Sequence, residues 1–323
     1  MRDDAEPVRE RETWHSFEFQ AMNTTMEAAW FGCERDEADI RELLVNELAR
    51  SERMFSRFRP DSELSRLNRS AGRLCLVSPD MLELLSMAVE YGAQTDGIFC
   101  PAILDGLLAA GYTESFERLP SSVRLSTYTG GHVPSEPLRI DAAMSSVQLF
   151  SGSRIDLGGI AKSWTAAKLA QRLKRIGISR GMINAGGDLA LWGGYAANAP
   201  WIVDIQHPWT EEEDAGSVAV YDGAVATSGT RGRRWMTDRG EMHHLIDPRT
   251  MLPSRSDVVQ CTVAGDNPVE CEIWSKTLCI LGTEEGRPLY EKRKPHCSAL
   301  LFLASGESYV LESDSASRPE WRM

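Results

Sequence analysis

Ile155-Asp156-Leu157-Gly158-Gly159-Ile160-Ala161-Lys162 places a carboxylate, two glycines and a lysine where an apolar run gives way to a helical pattern. Adjacent glycines let backbone approach a ligand closely, and the unpaired N–H groups of a helix start carry partial positive charge. Both features suit a pyrophosphate. A tight strand-to-helix turn with no ligand fits the same residues, because the run is neither G-x-G-x-x-G nor a G-K-[ST] loop. Asn184-Ala185-Gly186-Gly187-Asp188-Leu189 is a second glycine turn, suited to close approach by a ligand or merely by a neighbouring strand. His243-His244-Leu245-Ile246-Asp247-Pro248 joins an imidazole that titrates near neutral pH to a carboxylate in a rigid turn; it reads either as proton-handling machinery or as a solvated loop. Upstream, Thr227-Ser228-Gly229-Thr230 offers small hydroxyls before Arg231, Arg233 and Arg234, guanidiniums that could grip phosphate or simply be solvated.

The elements around these stretches follow from periodicity. Trp14 to Phe31 reads as one or two strands around a turn at Ala21–Thr25. Asp36 to Phe58 carries apolar residues at helical spacing, acidic at its start and basic near its end. Ser78-Pro79 opens a second helix that stops before Asp96-Gly97, and a third runs from about Ile160 to Ile176. Val147–Ile155, Met182-Ile183, Leu189–Trp192, Trp201–Ile205, Ser217–Tyr221 and Val258–Ala264 are strand-like. A last helix spans about Asn267 to Leu281, and Leu300–Leu303 with Ser308–Leu311 forms a hairpin. Antiparallel-looking groups of strands with helices interspersed favour α+β over a doubly wound parallel sheet.

The whole chain constrains the partners. Its 323 residues carry 35 basic against 47 acidic side chains, a net charge of −12, which repels phosphate backbones and anionic membranes and makes nucleic acid an unexpected partner. No stretch reaches the apolar length of a membrane span, and Met1 to Glu12 is charged, with no apolar core of a signal peptide; a cytoplasmic location is expected. Seven cysteines at irregular spacing, with no CxxC pair, read as reduced and mostly buried. The segments 1–12 and 313–323 are expected to be poorly ordered ends around a single domain over 13–312.

Taken in order, the motifs resemble the ApbE family of FAD:protein FMN transferases. The resemblance runs from Ala21 to Gly282 through Ala21-Met22-Asn23-Thr24-Thr25, the Ser56–Asn68 segment, the Gly97–Pro101 turn and the DLGGIAK, NAGGD, ATSG and HxIDPxT stretches. It implies an ApbE-like (T-fold-like) α+β architecture of two lobes with FAD between them. It also implies Mg²⁺-assisted transfer of FMN to a threonine or serine in an Asp-Gly-x-Thr/Ser-type motif of an acceptor flavoprotein, with release of AMP. By resemblance Met22, Phe58, Ile98, Phe99 and Cys100 line the flavin or adenine pocket. Asp156, Gly158, Gly159, Lys162, Lys168, Asn184, Gly186, Gly187, Asp188, Ser228 and Ile246 approach the cofactor, with His244 handling the proton and Asp247 beside the phosphate.

The sequence departs from the family pattern at the metal. The family combines a main-chain carbonyl, at the position of Thr165, with Asp and Thr at i, i+4 on the last helix. Here Glu272 and Lys276 take those places. Glu can ligate Mg²⁺ but an ammonium cannot. Lys276 therefore replaces part of the metal shell by pairing with Glu272, or Mg²⁺ binds more weakly through Glu272 and the Thr165 carbonyl, or the two form a plain helix salt bridge. Phe58 stands for the usual Tyr and Cys100 for a common Asp. The alternatives to transfer are an FAD pyrophosphatase giving FMN and AMP, and a binder that leaves FAD intact.

Overall fold

The computed structural model describes residues 13–32, 37–125, 133, 136–196, 198–210, 212–313 and 319–323. The charged N-terminal stretch, Cys33 and Asp36 lie outside them. Among the described residues, eight strands make one antiparallel sheet: β1 (Thr13–Ala21), β2 (Thr24–Gly32), β3 (Arg180–Ala185), β4 (Asp188–Trp192), β5 (Gly223–Gly229), β6 (Val258–Gly265), β7 (Cys297–Leu303) and β8 (Ser308–Leu311). Each strand pairs with the next in the chain, so the sheet is an extended meander with material inserted between its strands. The largest insertion, between β2 and β3, holds helices α1 (Glu37–Phe55), α2 (Glu63–Arg69), α3 (Pro79–Gln94), α4 (Leu104–Ala109) and α5 (Ala161–Arg175). Helix α6 (Pro268–Arg293) joins β6 to β7. The fold is α+β.

Period-two alternation gives the sheet two apolar faces. On one, Ala224, Ala226, Cys261 and Val263 meet Cys271, Trp274 and Leu278 of α6. On the same side Met26, Ala28 and Ile183 pack on Leu44 and Leu48 of α1 and on Leu169 and Leu173 of α5. On the other face Val225, Ala264 and Leu300 lie under a small sheet built from Trp201–Gln206, Asp214–Val220 and Glu320–Arg322. Part of the segment expected to be a flexible tail is thus a strand. Glu320–Arg322 pairs with Asp214–Val220, and Trp321 donates its indole N–H to Ser298 Oγ at 2.9 Å. An amphipathic Trp with a polar partner holds a short strand that its charged neighbours conceal in the sequence.

Helix starts follow their caps. Ser78 accepts the Met81 N–H ahead of Pro79, and Asn267 accepts those of Val269 and Glu270 ahead of Pro268. Two expected boundaries shift. The strand expected over Val147–Ile155 ends at Leu149, because Phe150–Ser153 turns through Gly152 at φ 83°. The last helix does not stop at Leu281 but continues to Arg293 across a break at Gly282 (φ 71°). Asp257 restarts it by accepting the Thr283 N–H at 2.8 Å. A Cβ on Gly282 would overlap Asp257 Oδ1 and force an L side chain into the left-handed region. Gly282→Ala is therefore expected to lower stability by about 1–3 kcal/mol, read as a reduced urea midpoint with an unchanged m-value.

Candidate active site

A cavity of about 440 Å³ opens where the β1–β2 and β3–β4 hairpins meet the start of α5 and the middle of α6. Its size lies within the roughly 300–1,000 Å³ of small-molecule sites. The first hairpin closes on Met22-Asn23, both at positive φ (52° and 55°), as two-residue hairpins require. Asn accepts that conformation readily. Met does so rarely, and Glu52 holds it there by accepting the Met22 N–H at 2.6 Å. The second closes on Gly186-Gly187, where a Cβ on Gly186 would overlap Thr24. The glycine thus lets the two turns touch, and Asn184 Oδ1 fixes the second by accepting the Gly187 N–H at 2.9 Å.

The Asp156–Gly159 turn forms the floor. Asn68 acts as a substitute strand for Ile155, giving its amide to the Ile155 carbonyl (2.9 Å) and accepting the Ile155 N–H (2.8 Å). Asp156 then accepts the Gly158 N–H at 2.8 Å and pairs with Arg57 at 2.9 Å, both side chains nearly buried. Helix α5 has no side-chain cap of its own. The Glu272 carboxylate, reaching across from α6, takes the Ser163 N–H at 3.3 Å instead.

Beneath this floor lies a buried ionic chain. Lys162 Nζ is 2.5 Å from Asp188 Oδ2 and 3.8 Å from Glu272 Oε1, and Lys276 Nζ is 2.8 Å from the same Glu272 oxygen. Burial alone would raise the Glu272 pKa, but Lys276 and Lys162 outweigh it and hold the carboxyl at about 2. Burial likewise opposes the charge on Lys162, yet Asp188 and Glu272 raise its pKa above the ordinary lysine value. Burial and then the neighbouring Glu272 raise the Asp188 pKa against the pull of Lys162 and Lys276, so Asp188 is the carboxylate of this ionic chain that takes a proton most readily.

The opposite wall carries His244 and a set of rings. His244 Nδ1 lies 3.4 Å from the Arg233 carbonyl, which only accepts; the ring proton therefore sits on Nδ1 and leaves Nε2 bare. Burial, then the charges of Arg233 and Lys276, push the His244 pKa well below 6.5, so the ring is neutral at physiological pH. The Arg57 guanidinium stands 4.0 Å from the Phe58 ring centre and 4.6 Å from that of Tyr112, which stacks on Trp235. Ile98, Phe99, Leu245 and Ile246 complete an apolar compartment beside the ionic one. A ring system, a diphosphate and a neutral base fit in one enclosure.

The sequence model of the ApbE family matches residues 22–301. The chain belongs to the ApbE family. Among curated proteins it is similar to the FAD:protein FMN transferase of Salmonella typhimurium, 25% identical over 291 residues that cover 84% of this chain and 79% of that one. The corresponding Escherichia coli protein is 24% identical over 288 residues, with the same coverage. Among solved structures, the ApbE protein of Thermotoga maritima superposes with a TM-score of 0.83 at 22% identity, covering 94% of this chain and 97% of that one. The flavin transferase ApbE of Vibrio cholerae superposes at 0.77 and 21%, covering 94% and 98%.

Within this ApbE fold, most residues singled out in the sequence meet at the cavity: Met22, Phe58, Ile98, Phe99, Cys100, Asp156, Gly158, Gly159, Lys162, Gly186, Gly187, Asp188, Ser228, His244, Ile246 and Lys276. Five do not line it. Lys168 pairs with Glu83 at the surface, because six residues along α5 leave it about 120° round the helix from Lys162. Asp247 turns back to grip Arg249, with Oδ2 2.7 Å from Nη2, and shapes the Asp-Pro turn rather than facing the cavity. Asn184 acts through the Gly187 turn. Thr165 is buried in α5, its hydroxyl donating to the Ala161 carbonyl at 2.7 Å. Glu272 is wholly buried behind Lys276.

The expected metal fits this donor set poorly. Glu272 Oε1 already faces two ammoniums and Oε2 takes an N–H, and a divalent cation there would meet like charge on both sides. Among the described residues no three His, Cys, Asp or Glu side chains are grouped to hold a metal ion. Sequence reasoning gave no role to Arg57, although it lies in the Ser56–Asn68 segment, and missed Tyr112 and Glu52, which lie in unremarkable local contexts. It noticed Arg233 only as one of three arginines; Arg233 lines the cavity, whereas Arg234 pairs with Glu241 at the surface. No described helix is long and apolar enough to cross a membrane.

Proposed function

We propose that this chain is an FAD:protein FMN transferase, whose cavity holds FAD and presents the FMN-side phosphorus to an acceptor hydroxyl. The reading is carried by the meeting, in one cavity, of Lys162, Lys276 and Arg233 with a neutral His244 and an aromatic compartment. The isoalloxazine lies against the rings around Phe58 and Tyr112, and the diphosphate lies over the Gly158-Gly159 turn near the lysines. A threonine or serine of an acceptor flavoprotein, in an Asp-Gly-x-Thr/Ser-type motif, supplies the hydroxyl.

His244 Nε2 accepts the hydroxyl proton while the oxygen forms a bond to the FMN-side phosphorus. The bond from that phosphorus to the bridging oxygen breaks, and AMP departs with the bridging oxygen and its electron pair. One P–O ester forms, one P–O bond breaks, the proton passes to solvent, and nothing is oxidised. Charge grows on the departing phosphate, so fixed cations stabilise the transition state more than the ground state.

Incubation with FAD and a peptide bearing Asp-Gly-Ala-Thr, followed by mass spectrometry, tests this. Covalent FMN on the peptide with equimolar AMP is the expected result. Free FMN and AMP with an unmodified peptide would make the protein a pyrophosphatase, and FAD recovered whole would make it a binder.

A further inference from the structure

Lys276 is the residue on which the structure and the family pattern part company. It projects from α6 across the start of α5: its Cδ and Cε lie 3.5 Å from where a Cβ on Gly159 would stand. The ammonium end lines the cavity while bonded at 2.8 Å to a carboxylate that does not. A lysine therefore stands between Glu272 and the space over the glycine turn, where a ligated cation would otherwise have to sit. Lys162 approaches the same carboxylate oxygen from the other side. With Arg233 on the wall, the two lysines and one guanidinium stand against Asp188, Glu272 and the lining Glu52, three cations against three carboxylates in a protein whose overall charge is strongly negative. Arg57 and Asp156 cancel each other. The counter-charge a diphosphate needs over the glycine turn is thus available from side chains, with Lys276 beside Gly159.

We propose that this protein binds and cleaves its dinucleotide without a divalent cation, the Lys276 ammonium on its Glu272 support serving as the fixed counter-charge of the diphosphate. This rests on the transferase reading above and narrows it. A metal replaced in this way changes what the enzyme depends on. Mg²⁺ is exchangeable and adapts its coordination by keeping water, whereas an ammonium on a buried carboxylate is permanent and holds one geometry. The site is accordingly indifferent to chelators, and its affinity for FAD weakens with added salt rather than with removal of Mg²⁺.

The test is titration of flavin fluorescence with the intact protein in excess EDTA and in excess MgCl₂, alongside AMP release in the presence of the acceptor peptide in both. Equal affinity and equal rate are expected. An affinity or rate that falls about tenfold or more in EDTA and returns with Mg²⁺ overturns the proposal while leaving the transferase reading intact. No uptake of FAD in either condition removes both. Lys276→Gln is expected to weaken FAD binding about tenfold or more, unrescued by Mg²⁺. The double substitution Glu272→Asp with Lys276→Thr is expected to make FAD affinity respond to Mg²⁺; if it stays unresponsive, the ammonium is not occupying a cation position.

Discussion

Replacing His244 by alanine is expected to slow FMN transfer by roughly 10²–10⁴-fold, the usual contribution of a positioned general base, with FAD affinity little changed. The division between rate and affinity follows from geometry: the ring lies on the cavity wall with one nitrogen held by a main-chain carbonyl and the other bare. It is placed to take a proton, not to carry charge in the ground state. Its pKa, pushed well below 6.5 by burial and then by Arg233 and Lys276, fixes the direction of the pH effect. The neutral form is active, so the rate stays level from pH 7 down past 6.5 and falls only at lower pH. Arg233→Gln removes one depressing charge and should move that fall toward neutrality. The same shift acts on stability. The unfolded ring binds protons below about 6.5 while the folded ring does not, so this group's contribution declines as pH drops below that value. Stopped-flow rates across pH 5–8 on wild type and Arg233→Gln would settle the assignment. An unshifted limb, or near-wild-type turnover by His244→Ala, excludes His244 as the base.

The two glycine turns, the Asp-Pro turn and the caps at Ser78 and Asn267 were legible in the sequence because each is a contract among residues a few positions apart. What stayed hidden was written at long range. Arg57 becomes a site residue only because Asp156, ninety-nine positions later, draws it under the glycine turn. Helix α5 lacks a local cap signal because Glu272 supplies the cap from another helix. Asp247 sits inside a matching motif and Lys168 on the helix that follows one, yet both point elsewhere: a motif fixes backbone position, while helical phase and a neighbouring Arg249 fix direction. Strand β5 went unread for a related reason. Its Gly-Ala-Val-Ala-Thr-Ser-Gly run has neither alternation nor bulk, since small residues are what a central strand needs beneath the large side chains of α6.

Removing the carboxylate of Glu272 is expected to be the most destabilising change in the site. Glu272→Ala should cost about 3–5 kcal/mol at pH 7, because it leaves Lys162 and Lys276, both largely buried, with Asp188 as the carboxylate they share. The carboxyl's own pKa, held low against burial by Lys276 and Lys162, points the same way. It also gives the sign. A carboxyl depressed in the folded state stabilises above its unfolded pKa, and that stabilisation drains away as pH falls from about 4.5 toward 2. The gap between wild type and Glu272→Ala, read from urea midpoints, should therefore stay level from pH 7 to about 4.5 and narrow below it. A constant gap would mean that lost packing, not lost charge, is responsible. Glu272→Gln separates the two further, since it keeps the shape and an acceptor for the Ser163 N–H while dropping the charge. It should recover part of the stability but none of the pH dependence. Because the same carboxylate holds Lys276 at the cavity and caps the helix under the diphosphate, FAD affinity should fall in both variants even where the fold survives.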